Sequence, residues 1–203
     1  AASDFSGYSV SLSSDGSTVA IGATGNAGNG NTAGHVRIYK NISGTWTKQG
    51  SDIDGEAAYD NSGSSVSLSS DGSTVGIGAL LNDGNGTDAG HVRIYKNVNG
   101  TWTQQGSDID GEAASDLSGW SVSLSSDGST VAIGARANDG NGNTAGHVRS
   151  YKNVSGTWTK QGSDIDGEAA YDNSGSSVSL RSDGSNVGIG ERLNDGNGTD
   201  AGN

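Results

Sequence analysis

Carboxylate side chains recur at fixed positions in this chain, in a segment that returns every 56 residues. In the first copy they occupy relative positions one, three, five and nine, and Gly55 stands at position four. Oxygen ligands at alternate positions of a turn can wrap calcium, although an EF-hand loop has its glycine at position six. A solvated acidic turn is the competing interpretation. The candidate calcium ligands are Asp52, Asp54, Glu56, Asp60, Asp108, Asp110, Glu112, Asp116, Asp164, Asp166, Glu168 and Asp172.

Histidine and tryptophan also recur at single repeat positions. The histidines are His35, His91 and His147, and the tryptophans are Trp46, Trp102 and Trp158. Equivalent histidines in a ring could converge on its axis and bind a metal, but a histidine that opens a strand more often serves packing. The tryptophan rings are predicted to fill the space between neighbouring repeats. Sugar stacking on an exposed ring is the alternative for the tryptophans.

Asparagine is frequent in the turns and loops of the chain. The loop at residues 82–88 offers oxygen ligands, but the first copy has Ala27 where this loop has Asp83, which favours a simple connector. Asn-X-Ser/Thr sequons mark sites for N-linked glycans in a secreted protein. Sequons also arise by chance in a chain so rich in Asn, Ser and Thr. The candidate glycosylation sites are Asn41, Asn85, Asn99, Asn153 and Asn197.

Four segments of each copy read as β-strands. In the first copy, residues 8–13 and 18–23 alternate apolar with small or polar side chains, the pattern of a half-buried strand. An Asp-Gly pair lies between them and predicts a tight hairpin. Residues 35–40 and 45–49 read as a third and a fourth strand, and the acidic segment leads into the next copy. No segment shows the apolar spacing of a helix.

The fixed period predicts one supersecondary unit copied in tandem. The predicted fold class is all-β: tandem 56-residue four-stranded antiparallel blades, β-propeller-like, with a β-solenoid as the alternative. Residues 1–203 form one repeat array. Its copies lie approximately at residues 1–56, 57–112, 113–168 and 169–203, and the last copy is incomplete because it stops before its third and fourth strands.

Charge and hydropathy exclude some classes of partner. The net charge is −12, so the chain is expected to repel phosphate groups, and we expect no nucleic-acid partner. No apolar run approaches the roughly 18 residues that a spanning helix needs, so membrane insertion is not expected. Cysteine is absent, which excludes disulfides and thiolate metal sites.

The motifs of the unit resemble the FG-GAP repeats of integrin-α-type β-propellers and of microbial and algal surface proteins. The resemblance lies in DFSGYSV at residues 4–10, VAIGA at 19–23, GHVRIY at 34–39 and GTWT at 44–47. It implies a propeller fold and covers essentially the whole chain. Ser6 separates the Phe-Gly pair, and the family's calcium loop of spaced aspartates is not matched. Calcium binding is therefore not carried over from the resemblance.

The copies alternate in sequence, so that the first resembles the third and the second resembles the fourth. Tyr8 and Trp120 stand where Ser64 and Ser176 stand in the even copies. Duplication of a two-blade segment explains this pattern. The alternative is that alternate blades meet different neighbours, as in a filament whose building block holds two blades.

The sequence therefore indicates an extracellular or cell-surface structural or adhesive repeat protein, a self-assembling component of a layer or filament. The expected partner is a second copy, in a head-to-tail homo-oligomer or fibre that would complete the last blade. The alternative is a ligand-binding propeller, an adhesin or lectin that holds a glycan or protein. We expect no enzyme activity, because no catalytic constellation breaks the repeat. Calcium is the one candidate cofactor.

Overall fold

A computed structural model describes residues 2–196, 198 and 200–202. All of the regular elements in this part of the chain are β-strands, which confirms the predicted all-β class. None of the described residues forms a helix with the length and apolarity that a bilayer crossing requires.

The strands group into one sheet for each of the four copies. The first sheet holds β1 (Ser6–Leu12), β2 (Thr18–Ala23), β3 (His35–Ile42), β4 (Thr45–Lys48) and β5 (Ile53–Asp54). The second holds β6 (Ser62–Leu68), β7 (Thr74–Ala79), β8 (His91–Val98), β9 (Thr101–Gln104) and β10 (Ile109–Asp110). The third holds β11 (Ser121–Leu124), β12 (Thr130–Ala135), β13 (His147–Val154), β14 (Thr157–Lys160) and β15 (Ile165–Asp166), and the fourth holds β16 (Ser174–Leu180) and β17 (Val187–Glu191).

Each complete sheet is an antiparallel meander of four strands, as the sequence predicts. In the first sheet the order is β1-β2-β3-β4, and β5 also pairs with β3 beyond the end of β4. The acidic segment, which the sequence indicates as a turn, therefore continues the outer strand after a break. All strands of one sheet come from one copy, which fits propeller-like blades and not the coils of a solenoid.

Tight turns join the strands where the sequence places glycine. The β8–β9 hairpin has the two-residue loop Asn99-Gly100, with φ of 52° and 88°. These values match a type I′ turn, which Asn-Gly favours because both residues need positive φ. In the β1–β2 hairpin, the carboxylate of Asp15 accepts hydrogen bonds from Ser13 Oγ (2.7 Å) and from the Ser17 amide (2.9 Å). These bonds fix the turn that sets the strand register.

The hydrophobic core lies between the blades rather than within one of them. One cluster joins the first and second blades, and a second cluster joins the second and third. Burying each branched side chain stabilises the fold by roughly 1.5–3 kcal/mol. The first cluster contains Ala20, Val36, Ile38 and Ile53 of the first blade and Val66, Leu68, Val75 and Ile77 of the second.

Hydrogen bonds also join the blades along their inner hairpins. The amide of Ser14 donates to the carbonyl of Ser70 at 2.9 Å, Ser70 donates to Ser126 at 2.9 Å, and Ser126 donates to Ser182 at 2.8 Å. Every donor and acceptor in this series is separated by one repeat. The junction between two blades is therefore the same contact set, copied along the chain.

The first blade differs from the next two in what it exposes. Val10 and Leu12 are 64% and 59% exposed, whereas their equivalents Val66 and Leu68 are 9% and 8% exposed. The preceding blade covers Val66 and Leu68. The first blade thus presents to solvent the apolar face that the second blade buries.

Candidate functional site

The three recurring histidines begin the third strand of their blades. At that end the strand pairs with the short acidic strand of the same blade, because β5, β10 and β15 lie beside the starts of β3, β8 and β13. This pairing places a carboxylate directly opposite each imidazole. The opposed residues are His35 and Asp54, His91 and Asp110, and His147 and Asp166.

Three carboxylates face the Nδ1 atom of His91. Oδ2 of Asp108 lies 3.7 Å from it and Oδ1 of Asp110 lies 4.0 Å from it, both in the same blade. Oε2 of Glu56, which the preceding copy contributes, lies 4.0 Å away. The imidazole is 1% exposed, and neither ring nitrogen has a hydrogen-bond partner among the described residues. The cluster therefore lies across a blade junction, with a buried histidine at its centre.

The same arrangement recurs at the next junction. Nδ1 of His147 lies 4.0 Å from Oε2 of Glu112 in the preceding copy and 3.9 Å from Oδ1 of Asp166. Asp164 belongs to the same group of potential ligands. His147 is also 1% exposed, and its Nε2 atom has no hydrogen-bond partner in the part of the chain that the structure describes.

A buried arginine anchors the glutamate of each cluster. Nη1 of Arg93 lies 3.3 Å from Oε1 of Glu56, while Nη2 donates to the carbonyl of Asp54 at 2.8 Å. Arg149 repeats both contacts with Glu112 and Asp110. Each arginine therefore reaches back to the outer strand of the preceding blade.

Burial shifts the pKa values at these clusters. Burial, with a smaller contribution from the positive charge of Arg93, lowers the pKa of His91 to about 4. The imidazole is consequently neutral at pH 7 and keeps a lone pair for a ligand or a hydrogen bond. Burial also raises the pKa of Glu56, against the lowering effect of Arg93, and raises that of Asp110, beside the charge of Asp108.

The first copy arranges the equivalent residues differently. Nδ1 of His35 lies 3.7 Å from Oδ2 of Asp52, but that oxygen accepts hydrogen bonds from Nε and Nη2 of Arg37, at 3.0 and 2.9 Å. Lys48 also contacts Asp52. The hydrogen bond from Arg37 is the main reason that the pKa of Asp52 falls to about 2. Here the carboxylate already has cationic partners from its own blade.

The four candidate calcium ligands of one copy do not act as one group. Asp52 and Asp54 lie beside His35, whereas Glu56 joins the cluster of the next blade. The fourth residue, Asp60, is 3% exposed and accepts hydrogen bonds from the Ala57 amide and from the Asn82 side chain. The fold therefore places these four residues at three separate locations, because the segment is divided at the blade junction. Asp116 and Asp172 make the same contacts as Asp60. Calcium binding itself remains a prediction.

The loop at residues 82–88 is held by its own side chains. Oδ1 of Asn82 accepts from the Gly84 amide, and Oδ1 of Asp83 accepts from the Asp88 amide, both at 2.8 Å. These bonds agree with the interpretation of the segment as a connector.

Two of the recurring tryptophans pack between blades, as predicted. Trp102 packs against the first cluster, and its Nε1 donates to the carbonyl of Gln49 in the preceding copy at 2.8 Å. Its ring also lines a groove of about 340 Å³ with Tyr95 and residues 50–54. Trp158 repeats the packing, the hydrogen bond and a groove of about 300 Å³. Trp46, on the first blade, is 47% exposed.

The predicted glycosylation sites differ in what their side chains do. Asn99 lies exposed in the outer hairpin turn. Nδ2 of Asn85 donates to the carbonyls of Gly111 (2.8 Å) and Glu112 (3.0 Å), so both of its hydrogens are used. Asn197 lies outside the described residues. The side-chain oxygens of Asn41 and Asn153 accept hydrogen bonds from the amides of Gly44 and Gly156.

Several of the residues that differ between odd and even copies line one cavity. Phe5 and Tyr8 of the first copy and Trp120 of the third line a space of about 330 Å³, together with Ser64 of the second. The Arg136 guanidinium stacks over Trp120, 3.5 Å from the ring centre. The large side chains of the odd copies therefore meet across the small serine of the even copy.

Comparison with protein families identifies one repeat of this chain. Residues 102–148 match the family model for the FG-GAP repeat, which confirms the resemblance predicted from the sequence. The match extends from β9 to the beginning of β13. A search of curated proteins finds no relative of this chain by sequence.

Solved structures share the fold at low sequence identity. A putative 6-phosphogluconolactonase from Bacteroides uniformis has a TM-score of 0.56 and 13% identity over 91% of this chain and 50% of its own. Sqt1 from Saccharomyces cerevisiae has a TM-score of 0.53 and 14% identity, and the match covers 85% of this chain and 39% of Sqt1. A putative TolB from Agrobacterium tumefaciens has a TM-score of 0.51 and 14% identity, and the match covers 90% of this chain and 53% of that protein. This chain thus spans about half the length of these proteins or less.

The expectation that the chain is not an enzyme is wrong as a deduction from its repeat architecture. The same fold occurs in the putative 6-phosphogluconolactonase from Bacteroides uniformis, so the architecture does not exclude catalysis. At 13% identity the likeness shows the fold alone. Two features are thus shown: residues 102–148 match the FG-GAP repeat model, and this segment lies within a tandem array of β-propeller-like blades.

Proposed function

We propose that this chain is an extracellular structural or adhesive repeat protein that self-assembles through the faces of its blades into a surface layer or filament. The observation that carries the proposal is the apolar surface of the first blade, which we call the leading face. It consists of Val10 and Leu12 of β1, which are 64% and 59% exposed. The first blade covers the equivalent Val66 and Leu68 of the second, so a surface of this kind is one that a neighbouring blade fits.

The proposed occupant of the leading face is a blade of a second copy. The equivalent surface of the second blade is covered by Ala20, Val36 and Ile38 of the first. The surface that fits a leading face is therefore the opposite face of the same kind of blade. Because the two faces of a blade differ, the contact is heterologous and joins copies head to tail.

Mass and particle shape test self-assembly. We expect light scattering and sedimentation velocity to show association that increases with protein concentration, and electron microscopy to show regular fibres. Leu12→Asp should abolish association, because it places a charge in the proposed contact. The matched control is Val154→Asp, an equally drastic change at a residue that is 54% exposed on the outer strand β13.

One result would contradict self-assembly, and another would contradict the proposed contact. One is a wild-type chain that stays monomeric at every concentration. The other is equal association of the Leu12→Asp and wild-type proteins, which would show that the leading face is not the contact.

Glycan binding is the second candidate function, and the grooves beside Trp102 and Trp158 favour it. Each groove combines an aromatic ring with acidic side chains of the preceding blade, Asp52 and Asp54 in the first case and Asp108 and Asp110 in the second. Sugars present both an apolar ring face and hydroxyl groups, which match these two components. Such a propeller would act as an adhesin or lectin.

A glycan array with one matched pair of variants tests this candidate. We expect Trp102→Ala and Trp158→Ala each to weaken binding several-fold, because each removes the stacking surface of one groove. Trp46→Ala is the control, because Trp46 occupies the same repeat position on the first blade, which has no preceding acidic strand in this structure. If the double variant Trp102→Ala/Trp158→Ala binds glycans as strongly as wild type, the grooves are excluded as the glycan-binding sites.

A further inference from the structure

We propose that each of the first two blade junctions carries a site for one divalent first-row transition-metal ion, bound by a buried histidine, an aspartate of the same blade and a glutamate of the preceding blade. This inference is independent of the proposed self-assembly and goes beyond it. The two sites are Glu56, His91 and Asp108 at the first junction, and Glu112, His147 and Asp164 at the second.

The spacing of the donor atoms fits a small ion. In each cluster one potential ligand atom from every residue lies within 4.8 Å of the others. A tetrahedral zinc ion with ligands at 2.0–2.2 Å requires about 3.4 Å between neighbouring donors. At the first site, Nδ1 of His91 lies 3.7 Å from the oxygen of Asp108 and 4.0 Å from that of Glu56. A contraction of about 0.3–0.6 Å would bring these two oxygens to that distance from Nδ1.

The buried imidazole provides the independent observation that points to a ligand. His91 is 1% exposed, and its Nδ1 faces the carboxylates without accepting or donating a hydrogen bond within the described part of the chain. Leaving a buried polar group without a partner destabilises the fold, because the group has lost its hydrogen bonds to water. Metal ligation through Nδ1 would satisfy that atom.

The charges of the cluster favour a doubly positive ion. Asp108, Asp110 and Glu56 bring three negative charges to the site, and Arg93 brings one positive charge. The two carboxylate oxygens of Glu56 have different partners: Oε1 lies 3.3 Å from Arg93, and Oε2 faces His91. A divalent cation would neutralise the remaining two charges without displacing the arginine.

The chemistry of the donors selects the class of metal. A neutral imidazole with carboxylates suits zinc and other first-row ions, whereas calcium takes 6–8 oxygen ligands. The proposed sites are thus different from the calcium site predicted from the acidic segment alone. The chain has no cysteine, and its three histidines all occupy this one repeat position, so few alternative transition-metal ligands exist.

The two junctions should differ in affinity because of one side chain. Lys160 contacts Asp164 at the second site and lies 3.9 Å from Glu112, so its ammonium competes with the metal. The equivalent residue at the first site is Gln104, which is uncharged and donates to the Oδ1 atom of Asp108. The structure therefore assigns the tighter site to His91 and the weaker one to His147.

Titration with zinc chloride tests the proposal on protein treated with chelator and then dialysed. We expect calorimetry to show one tight and one weaker site, and cobalt chloride to give the absorption bands of a histidine–carboxylate complex. His91→Gln should weaken the tight site at least ten-fold, and Lys160→Gln should strengthen the weak one. His35→Gln is the matched control and should leave both sites unchanged, because Arg37 and Lys48 already neutralise Asp52.

A second variant keeps the test decisive if His91→Gln does not fold. Glu56→Gln changes a side chain that is 44% exposed, so we expect a folded protein that has lost the tight site and its zinc-dependent increase in Tm. The proposal is overturned if wild-type protein binds no zinc at about 100 μM, or if His91→Gln and Glu56→Gln bind zinc as wild type does. It is also overturned if His35→Gln weakens binding as strongly as His91→Gln does.

Discussion

The first and second blades have nearly the same sequence but different surroundings. Leu12 and Leu68 occupy the same repeat position, yet one is 59% exposed and the other is 8% exposed. The reason is that the first blade covers the leading side of the second, whereas no described residue covers that side of the first. This comparison shows that a residue's burial here depends on the position of its blade in the array and not on local sequence.

The arginines of the third strand show the same dependence in their ion pairs. Arg37 of the first blade binds Asp52 of its own blade through two hydrogen bonds. Arg93 of the second blade instead reaches the Asp54 carbonyl and Glu56, both from the first copy. Each blade therefore carries a contact set that only its neighbour can complete.

Truncation of the equivalent leucines should give the largest difference between these blades. We expect Leu68→Ala to lower the free energy of unfolding by about 3 kcal/mol, because it opens a cavity between two blades. Leu12→Ala should change it by less than about 0.5 kcal/mol. Urea unfolding of both variants, at a concentration at which the wild type is monomeric, measures the difference. Equal losses would mean that the leading face of the first blade is covered in solution.

Replacement of the equivalent tryptophans should give a smaller difference. Trp102→Phe removes the hydrogen bond from Nε1 to the Gln49 carbonyl, and we expect a loss of about 1 kcal/mol in unfolding free energy. Trp46→Phe should cost less than about 0.5 kcal/mol, because this side chain is 47% exposed. Urea denaturation followed by circular dichroism can measure both. A cost for Trp46→Phe as large as that for Trp102→Phe would contradict the dependence on the neighbouring blade.

The aspartates of the inner hairpin turns should titrate in the same direction in the first and third blades, because the hydrogen bonds to them come from serines of the same turn. Hydrogen bonds, first from Ser13 Oγ and then from the Ser17 amide, lower the pKa of Asp15 to about 2, and Ser125 and Ser129 lower that of Asp127. A folded-state pKa below the unfolded one stabilises the protein above about pH 4, and this contribution is lost as the pH falls towards 2.

Acid unfolding of the two aspartate variants tests this expectation. Asp15→Asn and Asp127→Asn should each make unfolding less dependent on pH between about pH 5 and 2, because an amide keeps the acceptor oxygen without titrating. Urea midpoints measured across this range should shift in the same direction in the two variants. A pH dependence that matches wild type in either variant would contradict the assignment.

The smallest expected effect is a difference in glycan occupancy between Asn99, in the outer hairpin turn, and Asn85, in the loop at residues 82–88. If the protein is made in a secretory eukaryotic host, we expect Asn99 to carry a glycan and Asn85 to remain unmodified. Nδ2 of Asn85 already donates two hydrogen bonds, and a glycan would replace one of its hydrogens. Peptide mass spectrometry after deglycosylation in heavy-oxygen water measures both sites. Equal occupancy at Asn85 and Asn99 would show that Asn85 is modified before its hydrogen bonds form.

The strands of this protein could be predicted because their signals are local. Residues 18–23 alternate in the sequence and form β2 with the predicted bounds, and the Asp15-Gly16 pair makes the predicted hairpin. The strand β5 could not be found in this way. Ile53 and Asp54 are only two residues long as a strand, and they are held by pairing with β3 and by the burial of Ile53 under the next blade.

The histidine–carboxylate clusters were only partly predictable from sequence. The residue types and their recurrence indicated the correct side chains, but the sequence assigned Glu56 to the ligand set of its own copy. Its association with His91 depends on how two blades meet, which no single repeat contains. The constant separation of Glu56 from His91 and of Glu112 from His147 was the available signal.

The copied junction also determines how stability should be distributed along such an array. The serine hydrogen bonds at 2.9, 2.9 and 2.8 Å act as a nearest-neighbour coupling of nearly constant strength. In statistical terms the blades form a one-dimensional lattice, whose free energy is the sum of one intrinsic value for each unit and one coupling for each boundary. Blades with two neighbours should then unfold locally least often, and every added blade should contribute the same increment to the free energy of unfolding of the array.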